Sequence, residues 1–245
     1  MNHPTLPVDH AQALLIGRIW QPQLGATLVA ITAEQVFDLS GLAATCSALL
    51  EKTQAAAKVR QFMASAPLLA NTAAVLANSD ERQRDPTQPW FMAPCDLQAV
   101  KASGVTFVAS MLERVIEEQA RGDASKAEAV RQAVVAVIGD NLRSVKPGSP
   151  ESAKLKEVLL AQGMWSQYLE VGIGPDAEIF TKSQPMSAIG TGAMAGIHPG
   201  SQWNNPEPEV VLAVNSRGEV VGASLGNDVN LRDFEGRSAL LLGKA

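Results

Sequence analysis

Asn204-Asn205-Pro206-Glu207-Pro208-Glu209-Val210-Val211-Leu212-Ala213-Val214-Asn215-Ser216-Arg217-Gly218-Glu219-Val220-Val221-Gly222 is the stretch on which the fold turns. An apolar run from Val210 to Val214 and a second run opening at Val220 flank the turn residues Asn215-Ser216-Arg217-Gly218, a pattern that predicts a β-hairpin with a four-residue turn. Glu207 and Glu209 stand at the start of the first strand, two apart, which puts them on one face. Carboxylates so placed repel each other unless a cation lies between them or one is protonated. Beyond the hairpin, Gly226-Asn227-Asp228-Val229-Asn230-Leu231-Arg232-Asp233 brings Asp228 back on the returning chain. The prolines on either side of Glu207 stiffen the backbone and remove N–H donors, which weakens strand pairing with no evident structural return. Three carboxylates without a nearby cysteine form a hard, all-oxygen donor set, suited to Mg²⁺, Mn²⁺ or Ca²⁺ rather than Zn²⁺. Acidic residues beside a hairpin are usually just solvated, and the pattern alone leaves that reading open.

Working towards the N-terminus, the sequence is glycine-rich and strand-like from Trp165 onward. Before it lies a helical region. Ser149-Pro150 opens one helix, with Ser149 as N-cap and Pro150 at the first position, and Gly163 closes it. Residues 109–139 show apolar positions three to four apart (Leu112, Val115, Ile116, then Val130, Val134, Val137, Ile138), with a break at Gly122-Asp123 that divides two helices. Residues 79–94 are polar and proline-bearing and read as a linker, and 41–77 read as Ala/Leu-rich helix. Three strands are expected before that, around Ala13–Trp20, Ala26–Ile31 and Val36–Leu39. The expected architecture is therefore α+β: a small N-terminal domain over 1–95 and a second domain over 96–245, with a helical segment at 109–163 and a β segment at 165–245 that carries the candidate metal-binding residues. The chain stops at Gly243-Lys244-Ala245 directly after a strongly patterned segment, which suggests a C-terminal truncation.

The bulk composition narrows the function classes. With 245 residues, 46% of them apolar, the chain can bury a substantial core. Its 20 Lys+Arg against 25 Asp+Glu give a net charge of −5, which argues against a nucleic-acid partner and is too mild for an acidic tail. No run reaches the roughly 18 apolar residues of a membrane span, and the N-terminus lacks a basic, then apolar leader. Cytoplasmic is the default location. Cys46 and Cys95 are too few for a disulfide framework and read as free, buried thiols. The Met and Trp residues read as core. Gly190-Thr191-Gly192-Ala193-Met194-Ala195-Gly196 is followed by Ile197-His198-Pro199-Gly200, a poor helix start, so it reads as a glycine-rich turn and not a dinucleotide loop. His198 reads as structural; Ser187 and Ser201 lack a nucleophile elbow.

The run Glu207-Pro208-Glu209-Val210-Val211-Leu212-Ala213-Val214, a glycine-bearing turn, then Gly226-Asn227-Asp228-Val229 and Arg232-Asp233 resembles the core signature of the fumarylacetoacetase superfamily. The likeness runs from about Ala177 to Arg237. In that family a Glu-x-Glu pair and the Asp of an Asn-Asp-Val motif hold one divalent cation, which implies Glu207, Glu209 and Asp228 as ligands of Mg²⁺ (or Mn²⁺). It also implies a β-rich, barrel-like catalytic domain with a helical insertion, and a possible homo-oligomer. The short hairpin is similar to that of the 2-keto-3-deoxy-D-arabinonate dehydratase branch. Ala177-Glu178-Ile179-Phe180-Thr181-Lys182 resembles a segment that there sets a catalytic Glu and a Lys beside the metal, implying Glu178 as acid/base and Lys182 near the substrate. Lys244 stands close to a further family lysine, whose counterpart otherwise falls past Ala245.

The resemblance thus implies dehydration of a 2-keto-3-deoxy sugar acid through a metal-stabilised enolate, with a small 2-keto acid as the molecule bound. Many C–C hydrolases of the superfamily instead carry a His with a Glu three residues on. In the comparable run Gly104–Glu113, Ser110 replaces that His and Glu113 remains, and serine is no general base near neutral pH. Hydrolysis of acylpyruvates or 2,4-diketo acids is the alternative enzyme reading; an inactive fragment or binding module is the alternative without catalysis.

Overall fold

Leu28, Val29 and Ala30 are fully buried and adjacent, which a strand allows only if both faces of its sheet are covered. The computed structural model, which describes residues 5–104, 115–138, 145–161, 163, 165–176 and 178–238, shows how. Strands β1 (Leu15–Gln21), β2 (Gly25–Ile31), β3 (Gln35–Asp38), β4 (Leu68–Asn71) and β5 (Trp90–Met92) form one antiparallel sheet in the order β4-β3-β2-β1-β5. Leu28 and Ala30 face helices α1 (Cys46–Leu50) and α2 (Ala55–Met63), packing with Leu39, Leu49 and Val59. Val29 points the other way, into a cluster with Ile19, Val36, Phe91 and Val75 of α3 (Thr72–Asn78). Each Val, Leu, Ile or Phe among them contributes about 2 kcal/mol on burial.

Two strands here depart from the sequence reading. β4 falls inside the expected helix 41–77, because Pro67 cannot continue a helix and its carbonyl instead accepts the Asp38 N–H at 2.9 Å. β5 falls inside the expected linker 79–94; three residues are too few to show a period, and Phe91 is fixed by tertiary partners, pairing with Ile19 and donating its N–H to Ser79 Oγ at 2.8 Å. The side chains of Trp20, Met186 and Met194 are exposed, not core. Trp20 stacks on Trp90 at 5.9 Å near the end of β1. Both cysteines are free; Cys46 is buried, and burial first, then the nearby Asp96 charge, pushes its thiol up to about 11.

Asp96 joins α1 to the sheet. It is 2% exposed and accepts from the Cys46 and Ser47 N–H groups at 2.7 and 3.0 Å, with Arg18 Nε at 3.7 Å. Burial works to raise its carboxyl, but the donors from Ser47, Leu97 and Cys46 together hold it below the usual aspartate range. A lowered folded value stabilises the fold fully above about pH 4, the unfolded aspartate range, and that contribution is lost as pH falls through the folded value. Asp96→Asn should therefore lower stability by about 2 kcal/mol at pH 7 and by much less at low pH, measured as urea midpoints at the two pH values.

The described chain divides into two compact units. Residues 1–99, 184–195 and 210–226 make one, and residues 100–183, 196–209 and 227–245 the other. In the second, β6 (Val100–Ser103) pairs antiparallel with β7 (Ile179–Ser183). Its core collects Val115 and Ile116 from a helical stretch at 115–120, Ala127 of α4 (Ala124–Ile138), Leu159 of α5 (Pro150–Ala161), and Leu169 and Ile173 of α6 (Gln167–Ile173). The expected break at Gly122-Asp123 is present, and Ser149 Oγ caps α5 by accepting the Ser152 N–H at 3.2 Å. α6 replaces the strand expected after Trp165: Ser166 Oγ accepts the Leu169 N–H at 3.3 Å, and Leu169 and Ile173, four apart, bury one helical face. Helices and sheets together make the chain α+β. No helix among the described residues is long and apolar enough to cross a membrane.

Candidate metal centre

The two acidic segments meet because short strands clamp them on one side. β8 (Asn204–Asn205) pairs with β11 (Asn230–Leu231), Asn205 against Asn230 and Asn204 against Leu231. Next to this clamp the Glu207 N–H donates to Asn227 Oδ1 at 3.0 Å, and the Asp228 N–H donates to the Glu207 carbonyl at 2.9 Å. Pro206 and Pro208 contribute no donor, so Glu207 supplies the N–H for this crossing. The hairpin predicted from the sequence follows as β9 (Pro208–Val214) and β10 (Val220–Asn227), closed by the Asn215 N–H to the Glu219 carbonyl at 3.0 Å.

Glu207, Glu209 and Asp228 each offer a carboxylate oxygen, and these oxygens lie within 4.8 Å of one another. Glu207 and Asp228 are half-buried and Glu209 is exposed. Lys182 Nζ lies 3.0 Å from Asp228 Oδ2 and 3.6 Å from Glu235 Oε1. A β-bulge puts it there. Val100 pairs with Ser183 and Lys101 with Thr181, so Lys182 is the extra residue of β7, and a bulge re-aims the side chain it carries. Arg232, opening helix α7 (Arg232–Glu235), pairs with Glu207 Oε1 at 3.2 Å, with Asn205 Oδ1, and with Glu117. Glu117 and Glu235 are 2% and 1% exposed.

Among the described residues, when all are ionised, five carboxylates (Glu117, Glu207, Glu209, Asp228 and Glu235) face two cations (Lys182 and Arg232) here, leaving three negative charges. A dication is the counter-charge that such a cluster accepts most readily, and an all-oxygen donor set suits Mg²⁺, Mn²⁺ or Ca²⁺. The residues present therefore fit the cation expected from the sequence.

Of the other expected residues, Glu178 immediately precedes β7. Its carbonyl accepts the Gly104 N–H at 2.9 Å and its side chain lies over Gly104. Lys244, Ser110 and Glu113 lie outside the described residues. His198 packs its ring against Phe234 at 4.7 Å and accepts the Gly200 N–H at 3.0 Å, which shapes a turn. Asp233 accepts from Ser201 and from the Gln202 N–H. Burial pushes its carboxyl up, but these donors outweigh it and hold the carboxyl below its usual range. Sequence reasoning missed Glu117, Glu235 and the role of Arg232. The arginine was visible in its motif, whereas nothing local marks either glutamate.

Two curated proteins share the chain's sequence over short stretches. A probable 2-keto-3-deoxyxylonate dehydratase of Haloferax volcanii is 37% identical over 82 residues, 34% of this chain and 28% of that protein. A 2-dehydro-3-deoxy-D-arabinonate dehydratase of Saccharolobus solfataricus is 35% identical over 65 residues, 26% of this chain and 22% of that one. Over these stretches the chain is similar to 2-keto-3-deoxy sugar-acid dehydratases. The matched stretches thus span less than a third of these relatives' own length. No family model matches the chain. Its fold is similar to that of a solved 2-keto-3-deoxy-D-arabinonate dehydratase complexed with magnesium and 2,5-dioxopentanoate. The TM-score is 0.50 at 16% identity, over 93% of this chain and 59% of that one. The apo form of a 2-keto-3-deoxy-D-arabinonate dehydratase matches at TM-score 0.50 and 17% identity, with the same coverage.

Proposed function

We propose that this chain is a Mg²⁺- or Mn²⁺-dependent hydro-lyase that dehydrates a 2-keto-3-deoxy sugar acid such as 2-keto-3-deoxy-D-arabinonate. The observation that carries the reading is the convergence of Glu207, Glu209 and Asp228 within 4.8 Å, beside a lysine delivered by a bulge. We read the second unit as part of a barrel-like catalytic domain with a helical insertion, and the active protein as a cytoplasmic homo-oligomer. Glu207, Glu209 and Asp228 would hold the cation, which when bound polarises the 2-keto group and acidifies the carbon-3 protons. Glu178 takes one of these protons and returns it to the hydroxyl leaving carbon 4, so that one water is lost. Proton shifts along carbons 3 to 5 then give the aldehyde, 2,5-dioxopentanoate. Lys182 places positive charge where the substrate carboxylate sits, and the resemblance in sequence assigns Lys244 a similar part.

Incubating the purified chain with 2-keto-3-deoxy-D-arabinonate and Mg²⁺ should yield 2,5-dioxopentanoate by NMR, and EDTA should stop it. Glu178→Gln should lower kcat by about 10²- to 10⁴-fold while leaving the Mg²⁺ affinity unchanged. Release of pyruvate from an acylpyruvate, with no aldehyde from the sugar acid, would instead establish the hydrolase.

A further inference from the structure

Two of the three converging carboxylates have the same backing. Asp228 contacts Lys182, which contacts the buried Glu235; Glu207 contacts Arg232, which contacts the buried Glu117. Glu209 is exposed. The Arg232 chain is the more rigid of the two. Its guanidinium is held by three groups at once, Glu207, Asn205 and Glu117, and a planar fork so engaged has one orientation. Glu117 is itself fixed. It lies on the helical stretch 115–120, whose end meets the end of α7 with no side chain between: a Cβ on Gly236 would come within 2.8 Å of the Glu117 carbonyl and 2.9 Å of the Gly122 nitrogen.

We infer that Arg232, anchored on Glu117, is a positioning residue that sets the angle of the Glu207 carboxylate and thereby makes the site select Mg²⁺ over Ca²⁺. The inference rests on the metal reading above. Mg²⁺ demands near-ideal octahedral geometry at about 2.1 Å, whereas Ca²⁺ takes six to eight oxygens at about 2.3–2.6 Å in flexible arrangements. A carboxylate held at one angle favours the first ion, and one free to turn admits the second. Partners behind a ligand typically govern about 10- to 100-fold in metal affinity.

The charge of Arg232 complicates a simple affinity measurement, since removing a cation draws any dication closer. The two ions carry equal charge, so that effect cancels in the ratio of their dissociation constants, while the geometric effect does not. Calorimetric titrations with MgCl₂ and with CaCl₂ on the full chain supply the ratio. Arg232→Lys keeps the charge and loses the fork; Arg232→Met combined with Glu117→Gln removes both charges together and keeps the fold testable should the single variant not fold. Each should lower the Mg²⁺ preference by about tenfold, with the apo circular-dichroism spectrum unchanged. An unchanged ratio overturns the positioning role, whatever happens to the separate affinities. Absence of saturable binding of either ion to the unmodified chain overturns the metal reading itself, a different result from a site that binds both ions without preference for Mg²⁺.

Discussion

Asp228→Asn should abolish measurable Mg²⁺ binding, and with it dehydration, while the chain still folds. The ligand oxygens of Glu207, Glu209 and Asp228 share one volume, so each contributes a full charge to any cation there. At an effective dielectric of about 20, a unit charge about 4 Å from a dication interacts by roughly 8 kcal/mol, and it does so more strongly at contact. Dehydration of the ion offsets most of this. Even a quarter of it is a loss of roughly 30-fold, and the weaker amide oxygen adds to that, so a fall of more than about 100-fold is expected. Folding should survive because asparagine keeps an oxygen towards Lys182, whose Nζ also retains Glu235 at 3.6 Å. Calorimetry measures the first effect and thermal melting of the apo chain the second. Retained Mg²⁺ affinity would remove Asp228 from the site; a collapsed melting temperature would make its pairing with Lys182 structural.

The hairpin and its flanking acids were legible because they obey local rules. A run of apolar residues, a turn with Asn and Gly at its ends, and carboxylates two apart each carry their meaning in a few residues. The caps at Ser149 and the break at Gly122 are local for the same reason. What escaped is set by distant partners. The bulge that presents Lys182 exists only against Val100 and Lys101, some 80 residues earlier, and no feature of Phe180-Thr181-Lys182 announces it. Glu117 stands among Glu113 and Glu118 in what reads as an ordinary helix, and it is the pairing with the distant Arg232 that helps to offset its burial. β4 and β5 are too short for a period to show, and α6 hid behind a strand-like composition that Ser166 overrides by capping. The division into units that each recruit three separate segments is likewise a matter of tertiary packing, absent from any window of sequence.

Gly122→Ala should destabilise the second unit by about 3 kcal/mol and loosen the metal centre with it. The helical stretch 115–120 ends with the Gly122 N–H on the Glu117 carbonyl at 3.1 Å and the Arg121 N–H on the Glu118 carbonyl at 3.0 Å, the pair of bonds of a Schellman close. Arg121 and Gly122 both take positive φ, 53° and 71°. Alanine at 122 meets two penalties. The left-handed backbone alone costs about 1–2 kcal/mol. In addition, its Cβ would lie 2.5 Å from the Asp233 carbonyl oxygen and 3.0 Å from the Asp233 Cα, and this is backbone at the first turn of α7, which cannot swing aside as a side chain would. Gly163 separates the two terms: its φ is 67°, it belongs to the same unit, and among the described residues beyond its chain neighbours nothing lies within 4 Å of the added carbon. Gly163→Ala should cost about 1 kcal/mol, and the excess in Gly122→Ala measures the close approach of the two helix ends. Denaturant unfolding of both variants gives the difference. Equal costs would mean that the helix ends do not press together in solution. Glu117 would then lose its fixed place behind Arg232, and the Mg²⁺ preference would need a different origin. An excess of about 2 kcal/mol together with a weakened Mg²⁺ preference in the folded Gly122→Ala chain would tie the packing of two helix ends to the angle of a single metal-facing carboxylate.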